Sequence, residues 1–260
     1  VYNRDNYRRY VRKLGFDLLY DKSGFYDNVR AIIRNGASAR NLTRNWQFLQ
    51  DLQPNMLNFL ENHDEQRLAS DFLLGEGFRA LPALLVSSLM PRPFMLYFGQ
   101  EWGEHGMDTE GFSGHDGRTT IFDYWTVGSL ARAAAGKLTA DEQQLSNIYS
   151  KVLNIARKEK AVTEGLSYDL MYVNRQCHRQ YMFLRKSKTS QLLVVANFDD
   201  VPATVDVMIP AHAFEFLSLR EKTYTATDLL GGEATTLNLK CDQAVTVTVA
   251  ARSALIYKLK

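Results

Sequence analysis

Short apolar runs alternate with longer segments of helical apolar spacing over the first 160 residues. The runs at 16–20, 56–60 and 94–98 have the length and composition of β-strands. Strands that alternate with helices indicate parallel βαβ units, so we predict an α/β region here. The helices are expected near residues 25–33, 42–52, 77–90 and 141–158.

The pattern changes near residue 160, where apolar positions begin to repeat every two residues. Residues 192–198 form a continuous apolar run, whereas 205–209, 245–249 and 254–259 alternate as half-exposed strands do. Asp199-Asp200 and Gly231-Gly232 mark turns between such segments. We therefore predict an all-β antiparallel β-sandwich over 161–260, separate from the α/β region at 1–160.

Composition adds bounds to this picture. The chain has 260 residues, with 45% hydrophobic and 23% charged residues, as is usual for globular proteins. A net charge of +2 gives no indication of a nucleic-acid partner, and no apolar run reaches membrane-spanning length, so we expect neither partner. Two cysteines, Cys177 and Cys241, are too few for a disulfide framework. We expect free thiols, with a single bridge as the alternative.

The strongest candidate for chemistry is the run Phe59-Leu60-Glu61-Asn62-His63-Asp64, followed by Arg67. It lies at the end of the predicted strand 56–60, and the carboxyl ends of parallel barrel strands commonly carry active sites. Its carboxylate can stabilise positive charge, and its imidazole can both donate and accept hydrogen bonds. The structural alternative is a polar strand end in which Asp64 caps the next helix.

Together with two other blocks, this run resembles the alpha-amylase family of glycoside hydrolases, family thirteen. Gly15-Phe16-Asp17 through Tyr20-Asp21, the run 59–64 and Pro93–Glu101 resemble its sixth, seventh and eighth barrel strands in order. The 141–158 segment resembles the last barrel helix. Ala196-Asn197-Phe198, Asp228-Leu229-Leu230 and Ala251-Arg252-Ser253-Ala254 resemble the C-terminal β domain. The resemblance implies that 1–160 is the C-terminal portion of a (β/α)8 TIM barrel and that 161–260 is the β-sandwich domain.

The resemblance also implies a site. Asp64 matches the third carboxylate of the family and is our catalytic candidate, while His63, Asn62 and Arg67 are substrate-binding candidates. Arg67 would orient Asp64 or hold a neighbouring group, and the alternative is a surface pair with Glu65. The implied substrates are alpha-1,4-glucan oligosaccharides and polysaccharides, namely starch, glycogen and maltodextrins.

One departure from the family pattern affects activity. The nucleophile Asp and the acid/base Glu of the family end its fourth and fifth strands, and neither block is present here. Retaining hydrolysis needs two carboxyl groups about 5 Å apart. Val1-Tyr2-Asn3 resembles the residues after that Glu. We therefore expect a fragment that is inactive alone, and that needs the missing N-terminal barrel half or self-association.

The sequence also bears on cofactors and on rival functions. We expect no cofactor or metal in this chain, and the family's calcium would belong to the missing N-terminal part. The rival functions are a non-catalytic carbohydrate-binding or interaction module, and a transglycosylase or branching enzyme of the same family.

Two further groups of residues are weaker candidates. Gln100 and Glu101 are expected at the same rim as Asp64, with Glu101 supporting the loop rather than acting as an acid. The 102–125 loop is expected to be polar rather than metal-binding, and its aromatic residues either stack on sugars or pack locally. The residues concerned are His105, Asp108, Glu110, His115 and Asp116, and Phe112, Tyr124 and Trp125.

Overall fold

The structure is a computed structural model that describes residues 3–109 and 115–260. In the first 160 residues, the α-helices are α1 (Tyr7–Arg12), α2 (Asp27–Asn35), α3 (Arg40–Leu49), α4 (Leu81–Leu89), α5 (Gly128–Ala134) and α6 (Ala140–Lys158). The strands of this part are β1 (Leu19–Tyr20), β2 (Met56–Phe59) and β3 (Phe94–Met95). A π-helical turn at Lys22–Tyr26 and 3-10 turns at Arg4–Asn6, Gln50–Asn55, Gly77–Ala80 and Gln100–Trp102 complete it.

The three strands form a parallel sheet in the order β1-β2-β3. Leu19 pairs with Met56, and Asn58 pairs with Phe94, so the strands share one direction. This confirms the predicted α/β region. β1 and β3 are shorter than their apolar runs, because each pairs with β2 on one side only within the described residues.

Side chains alternate across this sheet. Leu19, Met56 and Asn58 are buried, whereas Tyr20, which lies on the other face, is 38% exposed. Phe16 and Leu18, just before β1, are also exposed, at 51% and 47%. One face of the sheet is therefore packed. The other carries the partly exposed Tyr20 beside Phe59, which is buried between the rings of Tyr20 and Tyr26.

Helix α4 is buried on all sides because its sequence is almost wholly apolar. Apart from Ser87 and Ser88 its sequence is apolar all round, and every residue from Pro82 to Leu89 is buried, as expected for a helix enclosed by a core. The Ser87 hydroxyl donates to the carbonyl of Ala83, which satisfies this buried polar group within the helix. α4 contacts strands of the C-terminal part, so it joins the two parts.

The C-terminal part is all-β apart from two short helices, α7 (Lys160–Thr163) and α8 (Ala211–Leu217). Its strands are β4 (Leu166–Asp169), β5 (Gln180–Lys186), β6 (Gln191–Asn197), β7 (Ala203–Ile209), β8 (Lys222–Asp228), β9 (Ala234–Leu239), β10 (Gln243–Val249) and β11 (Ser253–Leu259). They form a six-stranded sheet in the order β4-β5-β6-β11-β8-β9 and a two-stranded sheet of β10 and β7. All of these pairs are antiparallel, which confirms the predicted change of class.

Both sheets contribute to one hydrophobic core, which continues into the α/β region. Leu193 of β6, Val247 of β10 and Leu85 of α4 belong to the same buried cluster. Cys177 and Cys241 are free thiols, as expected. Among the described helices, none combines the length and the hydropathy that crossing a bilayer requires.

Candidate functional site

The loop after β2 turns sharply and presents two polar side chains to solvent. Asn62 is buried, and its Oδ1 accepts hydrogen bonds from the backbone N–H groups of Asp64 and Glu65, at 2.9 and 3.0 Å. This local side-chain bond fixes the turn. The side chains of His63 and Asp64 are 50% and 60% exposed, with His63 Nε2 3.5 Å from Asp64 Oδ2. The turn thus offers one imidazole and one carboxylate to a ligand.

A buried ion pair lies beneath the turn. Arg67 Nη1 is 2.7 Å from Glu61 Oε2, and both side chains are almost wholly buried. Glu61 Oε1 also accepts the backbone N–H of Leu68 at 2.7 Å. Burial raises the pKa of Glu61, and the neighbouring charge of Arg67 opposes that rise. The pair joins the two ends of the 61–68 loop and so positions His63 and Asp64.

Arg67 makes contacts that the sequence does not reveal. Its guanidinium donates to the Thr119 hydroxyl at 2.9 Å and to the Phe98 carbonyl at 2.7 Å. It also lies over the Tyr97 ring, 4.5 Å from the centroid. Every face of the guanidinium therefore meets protein.

Arg67 was expected to bind substrate, or to orient Asp64 or hold a neighbouring group, with a surface pair to Glu65 as the alternative. Its pair with Glu61 holds a neighbouring group. The side chain is fully buried, so it does not present its charge to a ligand at the surface. Glu65 instead lies 3.0 Å from Lys22 Nζ. Glu61 is the positioning residue that sequence reasoning missed, since the sequence does not show which acidic side chain turns inward after β2.

The backbone at Asp116 and Gly117 forms hydrogen bonds with residues at the end of this turn. The backbone N–H of Arg67 donates to the Gly117 carbonyl at 2.7 Å, and Gln66 Nε2 donates to the Asp116 carbonyl at 3.0 Å. A Cβ on Gly106 would lie 2.8 Å from the Gly117 carbonyl oxygen, and Gly106 has a φ of +59°. This close backbone approach requires glycine.

The other sequence candidates lie in different environments. Gln100 is buried and donates to the Tyr149 hydroxyl at 3.1 Å, and the expectation that it shares the rim of Asp64 stays a prediction. Glu101 has a buried Oε2 without a hydrogen-bond partner among the described residues, and its supporting role stays a prediction.

The 102–125 loop is only partly described. No group of three or more His, Cys, Asp or Glu side chains gathers into a metal site within 3–109 and 115–260. Glu110 and Phe112 lie outside the described residues. Tyr124 is 72% exposed and stacks on Phe122 with ring centroids 5.5 Å apart. Sugar stacking by this loop stays a prediction.

A cavity of about 660 Å³ lies away from this turn, between α3 and the strands β4 and β5. Aromatic side chains dominate its wall, among them Trp46, Tyr172 and Phe216. Asp169 lies in the wall and accepts hydrogen bonds from Trp46 Nε1 at 2.7 Å and Tyr181 Oη at 2.8 Å. No residue of the 61–67 loop lines this cavity.

Known proteins share parts of this architecture. Residues 172–260 match the family model described as the alpha amylase C-terminal all-beta domain. No curated protein sequence matches the chain. Solved structures of amylases match the chain at low identity, which shows a common fold.

Three of these structures illustrate the likeness. A noncanonic maltogenic alpha-amylase AmyB from Thermotoga neapolitana is 19% identical, with a TM-score of 0.67 over 95% of this chain and 51% of its own. AmyP in complex with maltose is 18% identical, with a TM-score of 0.68 over 99% of this chain and 54% of its own. The alpha-amylase from Geobacillus thermoleovorans, complexed with acarbose, is 14% identical, with a TM-score of 0.65 over 92% and 47%. The chain spans about half the length of these proteins.

Proposed function

We propose that this chain belongs to an alpha-amylase-type retaining glycoside hydrolase that acts on alpha-1,4-glucans such as starch, glycogen and maltodextrins. The observation that carries the proposal is the exposed His63–Asp64 pair at the end of the central parallel strand. The match of residues 172–260 to the alpha amylase C-terminal domain supports it. Maltose and acarbose in the solved relatives indicate the class of ligand.

Each residue of the turn has a distinct role in this proposal. Asp64 stabilises the positive charge that develops on the sugar ring in the transition state. His63 hydrogen-bonds hydroxyl groups of the same sugar. Asn62 shapes the turn through its two backbone hydrogen bonds, and the Glu61–Arg67 pair holds it from beneath.

The proposal leaves two roles to residues outside the 260. The resemblance places the nucleophile and the acid/base on strands that have no counterpart here. We therefore expect the purified chain alone to release no reducing ends from starch. Turnover near an ordinary enzyme rate, about 1–1000 per second, would contradict this part of the proposal.

The role of Asp64 is tested in an active protein that contains this chain. Asp64→Asn should lower kcat by about 100-fold or more, because the amide cannot stabilise the developing charge. His63→Ala should cost less and depend more on the substrate. A kcat for Asp64→Asn close to that of the parent would remove Asp64 from the site. Hydrolysis, transglycosylation and branching all use the same covalent intermediate, so the Asp64 and His63 variants do not separate them. Analysis of the products does.

The aromatic cavity favours a second candidate function, carbohydrate binding without catalysis. Tyr172 and Phe216 are partly exposed at its wall, and aromatic faces pack against the C–H faces of sugars. Calorimetric titration of maltoheptaose into the 260-residue chain tests it. Binding that Tyr172→Ala removes and His63→Ala leaves intact would favour the binding module, and the reverse pattern would favour the turn.

A further inference from the structure

Another cavity, of about 480 Å³, lies between the segment before β3 and the α7–β5 region. Two buried arginines line it: Arg92 is 7% exposed and Arg185 is 1% exposed. Three of their guanidinium nitrogens are buried without a hydrogen-bond partner among the described residues, namely Arg92 Nε, Arg92 Nη2 and Arg185 Nη1. Buried N–H donors of cationic groups are costly to leave unpaired.

The partners of Arg92 are all on one side of its guanidinium. Arg92 Nη1 lies 3.1 Å from Asp21 Oδ2 and 3.4 Å from Asn58 Oδ1. Nε and Nη2 form the opposite, side-on edge, a fork that matches two oxygens of one oxyanion. The Asp21 carboxylate forms no hydrogen bond with Nε or Nη2. It accepts instead from Arg92 Nη1, from Asn45 Nδ2 at 2.8 Å and from Tyr7 Oη at 3.3 Å.

Arg185 has no carboxylate partner among the described residues. Its Nε donates to the Ala161 carbonyl at 3.2 Å, and its Nη2 donates to the Val162 carbonyl. Burial lowers the pKa of Arg185 to about 10, which still leaves a cation at neutral pH. Glu164 also lines the cavity, but it pairs with Lys160 and its side chain is 58% exposed. One buried positive charge in this wall is therefore uncompensated.

We propose that this cavity is a binding site for a small oxyanion, of the phosphate or carboxylate class, which the side-on edge of Arg92 and the Nη1 of Arg185 hold between them. The oxyanion supplies the acceptors that these three nitrogens lack and the negative charge that balances Arg185. The site is independent of the His63–Asp64 turn and of the proposed hydrolase function. Its effect is to stabilise the junction between the α/β region and the β domain.

The melting temperature of the 260-residue chain, measured against inorganic phosphate at constant ionic strength, tests the site. Saturable binding should raise the melting temperature by about 3–6 °C at ten times the dissociation constant. Arg185→Met should abolish the rise, and Arg185→Lys should weaken it, since lysine keeps the charge but loses the fork. Arg34→Met, a change at an exposed arginine, is the matched control and should keep the full rise.

A parallel titration with acetate distinguishes the two sources of the oxyanion. A response to phosphate alone assigns the site to phosphate, and a response to acetate at similar concentration assigns it to carboxylates. The absence of any rise at constant ionic strength, or a rise that Arg185→Met leaves intact, overturns the proposal. Where the Arg185 variants do not fold, calorimetry on the wild-type chain decides: one-to-one binding of phosphate or acetate, unchanged in Arg34→Met, supports the site, and no binding of either overturns it.

Discussion

The buried pair of Glu61 and Arg67 makes the exposed turn above it sensitive to a change that touches no ligand. Glu61→Gln leaves the Arg67 cation buried without its counter-charge. We expect a loss of about 3–5 kcal/mol in the free energy of unfolding, measured by urea denaturation. Asp27→Asn is the control, because this exposed residue pairs with Lys22 and should cost at most about 1 kcal/mol. Equal, small losses in the two variants would show that the pair does not hold the loop.

Tyr181 gives the protein a pH dependence on the alkaline side. Its buried hydroxyl donates to Asp169 at 2.8 Å, and burial together with the Asp169 charge raises the pKa of Tyr181 well above its usual value of 10.0. A raised pKa in the folded state means that the stabilisation is complete below pH 10 and is lost as the pH rises further. Between pH 10 and 11, the wild-type urea midpoint should therefore fall more steeply than that of Tyr181→Phe. Parallel curves for the two proteins would contradict this assignment.

At the residue scale, the sequence predicts which side chains reach solvent better than which ones support them. His63 and Asp64, which reach solvent, stand out because of their order after an apolar run, whereas the neighbouring Asn62 is buried. The pairing of Glu61 with Arg67 could not be predicted, since it depends on a loop that returns six residues later and on Thr119 from a distant segment.

At the scale of the elements, the carboxylate of Asp169 on β4 joins helix α3 to the β domain. Asp169 Oδ2 accepts from Thr43 Oγ1 at 2.7 Å as well as from Trp46 and Tyr181. Asp169 Oδ1 also accepts the Met171 backbone N–H at 2.7 Å. In Asp169→Asn the amide NH2 must therefore face a donor on either side, which should cost about 2–4 kcal/mol of unfolding free energy. Asp206→Asn, at an exposed carboxylate on β7, should stay within about 0.5 kcal/mol. The melting temperatures of the two variants check this difference. A similar shift in both would show that Asp169 does not hold α3 to the β domain.

Strand prediction succeeded where alternation was visible and failed where burial was uneven. β7, β10 and β11 alternate in the sequence and were predicted. β5 has an apolar run of only four residues, Tyr181–Leu184, and the polar residues Gln180 and Arg185 that flank it are also buried, so no alternating pattern appears there. β8 shows only Tyr224 and Ala226 as buried apolar positions among threonines. The tertiary pairing of these strands with β6, β9 and β11 decides their conformation.

At the scale of the whole molecule, the proposed boundary near residue 160 is crossed by many contacts. Arg179 Nη1 donates to the carbonyls of Ile32 and Ala37 at 2.9 and 2.8 Å, and Arg252 Nη1 donates to the Ile33 carbonyl at 3.2 Å. Asp200 accepts from Arg79 and from Arg252, so it bridges the two parts. The hydrophobic core is continuous through α4. A division at 160 therefore separates sequence patterns more cleanly than it separates packing.

This continuity predicts cooperative unfolding of the whole chain. All three tryptophans, Trp46, Trp102 and Trp125, lie before residue 160, so their fluorescence follows the α/β region and, through the bond of Trp46 to Asp169, its contact with β4. Far-ultraviolet circular dichroism also follows the β domain. Because α4 packs on β6 and β11, loss of either part should expose the core of the other, and the two probes should give coincident urea transitions. For the same reason, an excised 161–260 segment should unfold at lower urea than the whole chain. Separate transitions, or an excised segment with an unchanged midpoint, would establish instead that the β domain folds on its own.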